Sequence, residues 1–184
     1  MKEKIMIASD IHGSAYWCKK LIAAYESEKP EKLVLLGDIL YHGPRNPLPD
    51  GYAPQEVAAM LNSLKNNLLC VRGNCDSEVD QMVLDFPIMA DYAMLLVGGK
   101  TFCATHGHLF NAEQPLPLSA GNILLNGHFH LPCHKEIENG VLYVNCGSVS
   151  LPKENTPHSY LVFESGKLLW KDLGNECRIF DECI

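Results

Sequence analysis

Residues 5–38 read IMIASDIHGSAYWCKKLIAAYESEKPEKLVLLGD, and this stretch decides the fold. It opens on a short apolar run, residues 5–8, and closes on a second one, residues 32–36, and both have the length and character typical of a buried strand. Between them, residues 14–29 place apolar side chains at near-helical spacing after a serine that suits an N-cap, and Pro30 stops the helix. The stretch therefore predicts a β-α-β unit.

The same pattern repeats once and then gives way to hairpins. Residues 54–65 carry an apolar face of helical period and lead into a third apolar run, residues 68–71. After about residue 90, three dipeptides suited to tight turns separate pairs of short runs: Gly98-Gly99, Asn139-Gly140 and Ser165-Gly166. Two sheets packed face to face, with helices outside at least one of them, would bury both kinds of strand. Because no linker divides the chain, we expect one domain over residues 1–184.

Length and composition limit the classes of function. A chain of 184 residues with 47% hydrophobic and 20% charged content can bury one sizeable core. The net charge of −7 argues against a nucleic-acid partner, which would require a basic surface. The eight cysteines form no Cys-x-x-Cys pair, which favours reduced thiols and a cytoplasmic location. No signal-peptide core and no run of roughly 20 apolar residues is present, so we expect no membrane partner.

Side chains that bind metals follow the ends of the apolar runs. They are Asp10, His12, Asp38, Asn74, His106, His128 and His130. Because ligand sites gather at the carboxyl ends of parallel strands, one edge can hold them all. Asp10 and His12 are separated by one residue, as are His128 and His130, so in an extended chain the members of each pair leave on the same face. Two such pairs with a further carboxylate and amide exceed what one metal ion needs.

The order of the motifs, Asp-x-His, Gly-Asp, Gly-Asn-x-Asp, His and Gly-His-x-His, resembles the calcineurin-like metallophosphoesterase family. Within that family the chain is similar to small bacterial and archaeal phosphodiesterases, from residue 4 to about residue 173. The resemblance implies the α/β metallo-dependent phosphatase fold, a four-layer α/β/β/α sandwich with a dinuclear centre between the sheets. It also implies the ligands: Asp10, His12 and His130 for the first metal, Asn74, His106 and His128 for the second, and Asp38 as the bridge.

The chemistry of the donors agrees with that assignment. A carboxylate such as Asp38 has two oxygen atoms to share between cations, whereas an imidazole offers one lone pair to one metal. Mixed oxygen and nitrogen ligands without thiolate suit Mn²⁺, Fe or Zn²⁺, and we expect Mn²⁺ first. Two cations about 3.5–4 Å apart can bind a phosphoryl oxygen and lower the pKa of a bridging water, which would attack phosphorus in line with the leaving group.

One position departs from the family's pattern. Many relatives read Gly-Asn-His-Asp or Gly-Asn-His-Glu, and that histidine is thought to act on the transition state or the leaving oxygen, but this chain has Cys75. A thiol is a poor replacement, so we expect a preference for good leaving groups, or for diesters whose second substituent provides binding, over ordinary monoesters. His108 could replace the missing acid or could be structural. Asp76 keeps the family's acid and would orient a neighbour, unless it caps a helix over residues 77–83.

Residues 41–52 follow the predicted bridge and contain three prolines and two glycines, so they predict a loop at the rim of the site. Arg45 in that loop could bind a phosphate oxygen bidentately, or could be an ordinary solvated side chain. Arg72 could serve the same end or could pair with a carboxylate such as Asp76. The apolar residues within 114–118 could form an interface of a homo-oligomer or could cover the site.

Relatives of this type often have Asn-Pro-Gly-Ser where this chain has Asn145-Cys146-Gly147-Ser148. The turn therefore lacks its proline but can still close through Gly147. A strand-ending turn without substrate contact is the favoured interpretation.

We therefore predict a metal-dependent phosphodiesterase that acts on a small-molecule phosphodiester. Its catalytic residues would be Asp38, Asn74, Cys75, Asp76 and His108, and its substrate-binding residues Arg45 and Arg72. A small-molecule phosphomonoesterase on the same dinuclear site is the alternative. A non-catalytic scaffold is a more remote one, since a eukaryotic sorting-complex subunit has this fold with an incomplete ligand set. The acidic balance and the lack of an extra domain disfavour a nuclease.

Overall fold

A computed structural model describes residues 4–175 and 177–184. Its helices are α1 (Ala15–Glu28), α2 (Pro54–Asn62) and α3 (Glu78–Gln81). Its strands are β1 (Lys4–Ala8), β2 (Lys32–Leu35), β3 (Leu68–Cys70), β4 (Tyr92–Val97), β5 (Lys100–Thr105), β6 (Ile123–Asn126), β7 (Cys133–Ile137), β8 (Val141–Asn145), β9 (Ser159–Glu164), β10 (Lys167–Asp172) and β11 (Arg178–Cys183).

The first sheet has the strand order β11-β10-β9-β1-β2-β3. Strands β1, β2 and β3 pair in parallel, which confirms the β-α-β prediction. Strand β9 pairs antiparallel with β1 and with β10, so the last third of the chain lies beside the first strand. No sequence pattern predicted β11, whose Phe180 stacks on Trp170 with ring centroids 4.4 Å apart.

Helices α1 and α2 cover the outer face of this sheet. The hydroxyl of Ser14 accepts the backbone N–H of Trp17 and starts α1, and Lys29 in a left-handed conformation ends it. Helix α2 begins at Pro54, where a missing N–H costs nothing. It ends three residues earlier than expected, because the hydroxyl of Ser63 donates to the Met60 carbonyl and a 3₁₀ turn follows.

The second sheet has the order β4-β5-β6-β8-β7. The predicted hairpins β4-β5, β7-β8 and, in the first sheet, β9-β10 are all antiparallel pairs. Between the sheets lies an apolar core in which Phe102 meets Phe163 edge to face at 5.0 Å. Alternation along β1 explains the layering, because Ile5 and Ile7 enter this core while Met6 packs under the helices. The two-sheet α/β sandwich is therefore as predicted.

The outer face of the second sheet is covered by a loop. Leu116 and Leu118 pack against Tyr143 and its neighbours there, so the 114–118 stretch covers the sheet. Within residues 4–175 and 177–184, no helix covers this face. Nor is any helix of the described chain long and apolar enough to cross a membrane. All eight cysteines are free.

Candidate metal centre

The predicted ligands gather where the two sheets present the carboxyl ends of their parallel strands. Asp10, Asp38 and Asn74 follow β1, β2 and β3, and His106 and His128 follow β5 and β6. Strands β1 to β3 run parallel in one sheet, and β5 and β6 run parallel in the other. One edge of the sandwich thus receives side chains from both halves of the chain.

The prediction that each Asp-x-His or His-x-His pair is extended is wrong. Asp10 and His12 have φ of 60° and 48°, and His128 and His130 both have φ of 62°. The chain therefore leaves each strand through left-handed turns, which cost about 1–3 kcal/mol per non-glycine residue. Asp38 has a φ of 55° as well. Such conformations persist where the surrounding structure fixes them, and here they bend both pairs back into one cluster.

Two glycines allow the loops to approach this closely. A Cβ atom at Gly73 would lie 2.1 Å from Oδ1 of Asp38, and one at Gly127 would lie 1.9 Å from Oγ of Ser9. Any larger residue would push the strand-ending loops apart. The Gly-Asn and Gly-His motifs are therefore steric requirements of the cluster.

Asp10, His12 and His130 form a buried set. The Nε2 atoms of His130 and His12 lie 3.1 and 3.4 Å from Oδ1 of Asp10, and the two Nε2 atoms are 3.3 Å apart. Oδ1 of Asp10 is buried and has no hydrogen-bond donor among the described residues. A cation among these atoms would satisfy one carboxylate oxygen and two imidazole lone pairs that otherwise face one another. The three residues therefore fit a metal ion.

Asp38 lies between this set and a second one. Its Oδ2 is 3.7 Å from Nε2 of His12 and 3.5 Å from Nε2 of His106. Nε2 of His106 is in turn 3.1 Å from Oδ1 of Asn74. One carboxylate oxygen thus faces both sets, as a group that bridges two cations must.

His128 lies at the open side of the second set. Its ring centroid is 5.0 Å from that of His106, and its backbone N–H donates to Oδ2 of Asp10 over 3.0 Å. Burial, followed by the charge of His106, lowers the pKa of His128 to about 4. The imidazole is therefore neutral at neutral pH, which is the form that binds metals.

Backbone carbonyls fix three of the imidazoles. Nδ1 of His106, His12 and His130 donates to the carbonyl oxygens of Leu36, Tyr41 and Leu151 over 2.7, 2.8 and 2.5 Å, respectively. Each bond keeps a proton on Nδ1 and turns Nε2 toward the cluster, where it would bind a metal ion in its unprotonated form. This is the arrangement that orients histidine ligands at metal sites.

The charges within the cluster favour ionised carboxylates. Burial opposes ionisation of Asp10, but the adjacent imidazoles of His12 and His130 outweigh it and hold the pKa of that carboxyl well below its usual range. Burial likewise opposes ionisation of Asp38, whose pKa is lowered by the hydrogen bond and charge of His106. Burial disfavours the His106 cation, yet its hydrogen bond to Asp38 and the charge of Asp10 raise its pKa to about 9. Anionic oxygens beside imidazoles are a typical donor set for a divalent cation.

Asp76 supports the cluster from beneath. Its Oδ2 accepts the backbone N–H groups of Asp38 and Gly73 at 2.8 and 2.7 Å, and its Oδ1 accepts that of Ile39 at 2.8 Å. It therefore fastens the loop after β2 to the loop after β3. The alternative that Asp76 caps the following helix is wrong, because Ser77 is the N-cap of α3.

Cys75 lies beside the predicted bridge. Its thiol, Asp38 and His12 offer donor atoms within 4.8 Å of one another, and its backbone N–H donates to Oδ1 of Asp38. Burial, then the charge of Asp38, raises the pKa of the Cys75 thiol. The thiol is therefore neutral and a weak proton donor at neutral pH.

His108 lies on the other side of the second set. Its ring centroid is 5.4 Å from that of His106 and 6.3 Å from that of His128. Burial and the charge of His106 lower its pKa, and its buried Nδ1 has no hydrogen-bond partner among the described residues. It lines a groove next to the cluster rather than the cleft in front of it.

A cleft of about 350 Å³ opens in front of the cluster. Arg45 lines it and has no ion pair within the described part of the chain. Arg72 is placed differently: it pairs with Asp91 at 2.9 Å rather than with Asp76, and it is not among the residues that line the cleft. Lys153 also lines the cleft, and no motif pointed to it because it lies in a polar turn far along the chain.

The Asn145-Cys146-Gly147-Ser148 tail joins the ligand loops without reaching the cleft. Nδ2 of Asn145 donates to the Gly127 carbonyl at 2.6 Å, and the hydroxyls of Ser148 and Ser150 both donate to the Asp10 carbonyl at 3.1 Å. The turn closes through Gly147, which has a φ of 81°. Sequence reasoning missed this support, although the serine at the end of the motif was visible.

Comparison with known proteins supplies independent evidence. The model of the calcineurin-like phosphoesterase superfamily domain matches residues 4–167. The chain is 44% identical to phosphodiesterase YfcE of Escherichia coli over 165 residues, which cover 90% of this chain and 89% of that protein. The solved structure of that E. coli phosphoesterase superposes with a TM-score of 0.95 and 41% identity, over 98% of this chain and 99% of the other. Vps29 of Entamoeba histolytica has the same fold at 15% identity, with a TM-score of 0.62 over 98% of both chains.

Proposed function

This chain belongs to the calcineurin-like phosphoesterase superfamily, and from that premise we propose that it hydrolyses phosphodiesters with two divalent cations held between its sheets. Its assignment to the phosphoric diester hydrolases rests on the 44% identity to a named phosphodiesterase over most of both chains. The dinuclear mechanism is our proposal.

The position of Asp38 supports it most directly. A single oxygen, Oδ2, faces Nε2 of His12 on one side and Nε2 of His106 on the other, at 3.7 and 3.5 Å. Its other oxygen, Oδ1, accepts the backbone N–H of Cys75, so Oδ2 is the atom that is turned toward both ligand sets. We assign Asp38 as the bridge between a first ion held by Asp10, His12 and His130 and a second ion held by Asn74, His106 and His128.

When bound, two such cations polarise a phosphoryl oxygen and acidify a water molecule for in-line attack. Mn²⁺ is the metal that we expect, with Fe or Zn²⁺ as the other candidates, because the donors are oxygen and nitrogen. Side chains of the protein would bind the substrate and position the ligand loops. Arg45 and Lys153, which both line the cleft, would bind phosphate oxygens there, while Asp76 positions the loops that carry Asp38 and Asn74.

The two side chains that were predicted to donate a proton to the leaving group are poorly suited to do so. The neutral Cys75 thiol is a weak acid, and His108 lies to the side of the cleft. Substrates with good leaving groups, or diesters whose second substituent binds the protein, should therefore react best. Arg72, engaged by Asp91, would act on the substrate only by stabilising the loop before Gly73.

The test starts from chelator-stripped protein, to which Mn²⁺, Fe²⁺, Zn²⁺ or Mg²⁺ is added separately. We expect Mn²⁺ to restore hydrolysis of bis(4-nitrophenyl) phosphate most strongly and hydrolysis of 4-nitrophenyl phosphate weakly. Electron paramagnetic resonance should show two coupled Mn²⁺ ions per chain. Activity on the monoester alone would favour the phosphomonoesterase, and inactivity with every metal would favour the scaffold.

The remaining expectations concern the surroundings of the enzyme. We propose a small-molecule phosphodiester as partner, because the acidic chain with net charge −7 does not suit a nucleic acid. The eight free cysteines favour a reducing compartment, the cytoplasm. A homo-oligomer stays a prediction. Residues 114–118 do not support it, because they cover the second sheet of their own chain.

A further inference from the structure

An aromatic side chain stands at the edge of the metal centre. Phe129 lies between the predicted ligands His128 and His130 and is 41% exposed. The left-handed conformations on both sides, together with a 2.6 Å bond from its N–H to the Gly127 carbonyl, fix its backbone. Its ring meets that of His128 edge to face at 5.1 Å. The position of the ring is therefore set by the same turns that set the metal ligands.

Phe129 lines two adjoining spaces at once. One is the cleft in front of the cluster. The other is a groove of about 500 Å³, here called the Phe129 groove, which is lined by Phe129, His128, His108, Leu131, Tyr143 and Lys135, among others. Because His128 and Phe129 belong to both, a group attached to phosphorus in the cleft can extend directly into the groove.

The chemistry of the Phe129 groove suits a flat apolar group with a polar edge. Leu131 and the buried ring of Tyr143 line it, Lys135 holds its ammonium 5.7 Å from that ring, and Asn111 lies at the rim. The exposed Phe129 ring offers an aromatic face for offset or edge-on packing. No charged side chain of the first ligand set enters the groove.

A second groove is larger but less well connected. It has a volume of about 760 Å³ and is lined by residues such as Tyr52, Ala58, Val79 and Val83. Cys75, beside the predicted bridge, lines this groove, but within the described chain no residue lines both this groove and the metal cleft. Continuity therefore favours the Phe129 groove.

We propose that the Phe129 groove is the subsite for a flat aromatic substituent of the phosphodiester, and that Phe129 is the residue that selects it. The proposal rests on the proposed function, because it places the phosphoryl group at the metal cleft. It adds a class of substrate, diesters that carry an aromatic ring.

The test uses methyl(phenyl)phosphinate and methyl(cyclohexyl)phosphinate, which have only P–C bonds to their substituents and cannot be hydrolysed. Their dissociation constants are measured by methyl NMR on protein loaded with diamagnetic Zn²⁺. We expect the phenyl compound to bind about tenfold more tightly and to shift the methyl signals of Ala112 and Leu131. Phe129→Ala should abolish the preference, Phe129→Leu should keep part of the affinity but not the preference, and the matched control Leu96→Ala, at an 82% exposed side chain, should keep both.

The proposal would be overturned if neither phosphinate bound, if both bound equally, or if Phe129→Ala kept the preference for the phenyl compound. Shifts of the methyl signals of Val79 and Val83, in place of those of Ala112 and Leu131, would overturn it as well. Hydrolysis of bis(4-nitrophenyl) phosphate is measured on the same protein variants after loading with Mn²⁺. Selective binding of the phenyl compound without hydrolysis would refute the proposed function but support the aromatic subsite. Hydrolysis without selective binding would support the proposed function but refute the aromatic subsite.

Discussion

The two halves of the candidate metal centre differ in burial. In the first half all three ligands are nearly inaccessible, since Asp10, His12 and His130 are 0%, 0% and 3% exposed. In the second half one imidazole is equally buried, but Asn74 is exposed and His128 is only half-buried. The first half is thus nearly closed and meets the cleft only at His130, whereas the second half opens onto it through Asn74 and His128.

This difference separates two tasks that one centre must perform. A buried, prearranged ligand set loses little freedom on binding and should hold its cation tightly. An open set leaves room for a phosphoryl oxygen to reach the second cation. We therefore expect the first ion to act mainly as an anchor and the second to exchange and to meet the substrate.

The largest effect should follow from removing the group that the halves share. Asp38→Asn keeps the size of the side chain but removes the charge that faces both sets. Because partners that merely orient a ligand already cost 10–100-fold, we expect diesterase activity to fall by at least about 100-fold. Metal content, measured by elemental analysis, should fall in parallel. The control Asp181→Asn, on an exposed edge strand, should behave as the parent; full metal content with full activity in Asp38→Asn would refute the bridge.

Replacing one imidazole in each half sharpens the comparison. His130→Ala should weaken the tighter Mn²⁺ ion by about 10–100-fold, whereas His128→Ala should weaken only the looser one. Isothermal titration of stripped protein with Mn²⁺ separates the two events. His134→Ala removes an imidazole outside both halves and serves as the control. If His128→Ala weakens the tighter ion as much as His130→Ala does, burial does not set the order of binding.

Cys75 lies where the two halves meet, and a histidine there would add a proton donor. Cys75→His should raise the ratio of monoester to diester hydrolysis by about tenfold, which is less than the roughly 100-fold or more of a well-placed general acid because the new imidazole would be imperfectly positioned. Cys75→Ser, which keeps a small neutral side chain and adds no general acid, should leave the ratio near that of the parent. The two rates are measured with 4-nitrophenyl esters in Mn²⁺. An unchanged ratio in Cys75→His would contradict the proposed reason for diester preference.

The smallest effect appears in the metal-free protein, where the two imidazoles of the open half should titrate far apart. We expect His106 to stay protonated up to pH about 9 and His128 to stay neutral down to pH about 4. Imidazole NMR signals would show this, and midpoints near 6.5 for both would contradict it.

Urea unfolding of the same metal-free protein at several pH values tests the direction of both pKa shifts. The raised pKa of His106 stabilises the fold below pH about 6.5, and this contribution is lost as pH rises through about 9. The lowered pKa of His128 stabilises the fold above pH about 6.5, and that contribution is lost as pH falls through about 4. His106→Gln and His128→Gln should therefore flatten opposite sides of the pH profile.

Sequence periodicity was sufficient for most of the fold. Apolar runs and turn dipeptides predicted the parallel strands, the helices and the hairpins, because local patterns decide those elements. They could not predict that Leu116 and Leu118 replace a helix over the second sheet, since a loop without periodicity acquires its role only from the surface that it meets. Strand β11 was missed for the same reason. Phe180 packs on Trp170 of the neighbouring strand, and no local pattern around Phe180 predicts that contact.

The ligand set was visible in the motifs, but its geometry was not. Spacing suggested that Asp10 and His12 leave an extended chain, whereas left-handed turns bring them together, and only the packing against Gly127 and Ser148 requires those turns. The sequence also did not predict the ion-pair partner of Arg72. Asp91 lies nineteen positions away, and long-range ion pairs carry no local signature.

The strand order of the first sheet has a consequence for how this protein is made. Strand β1 lies between β2 and β9, so during synthesis one of its edges stays unpaired until Ser159–Glu164 has left the ribosome. By then every ligand residue has been translated. A nascent chain that is shorter than this would present carboxylates and imidazoles on an unfinished sheet, and loading with metal should therefore be a late, post-translational event that follows closure of that edge.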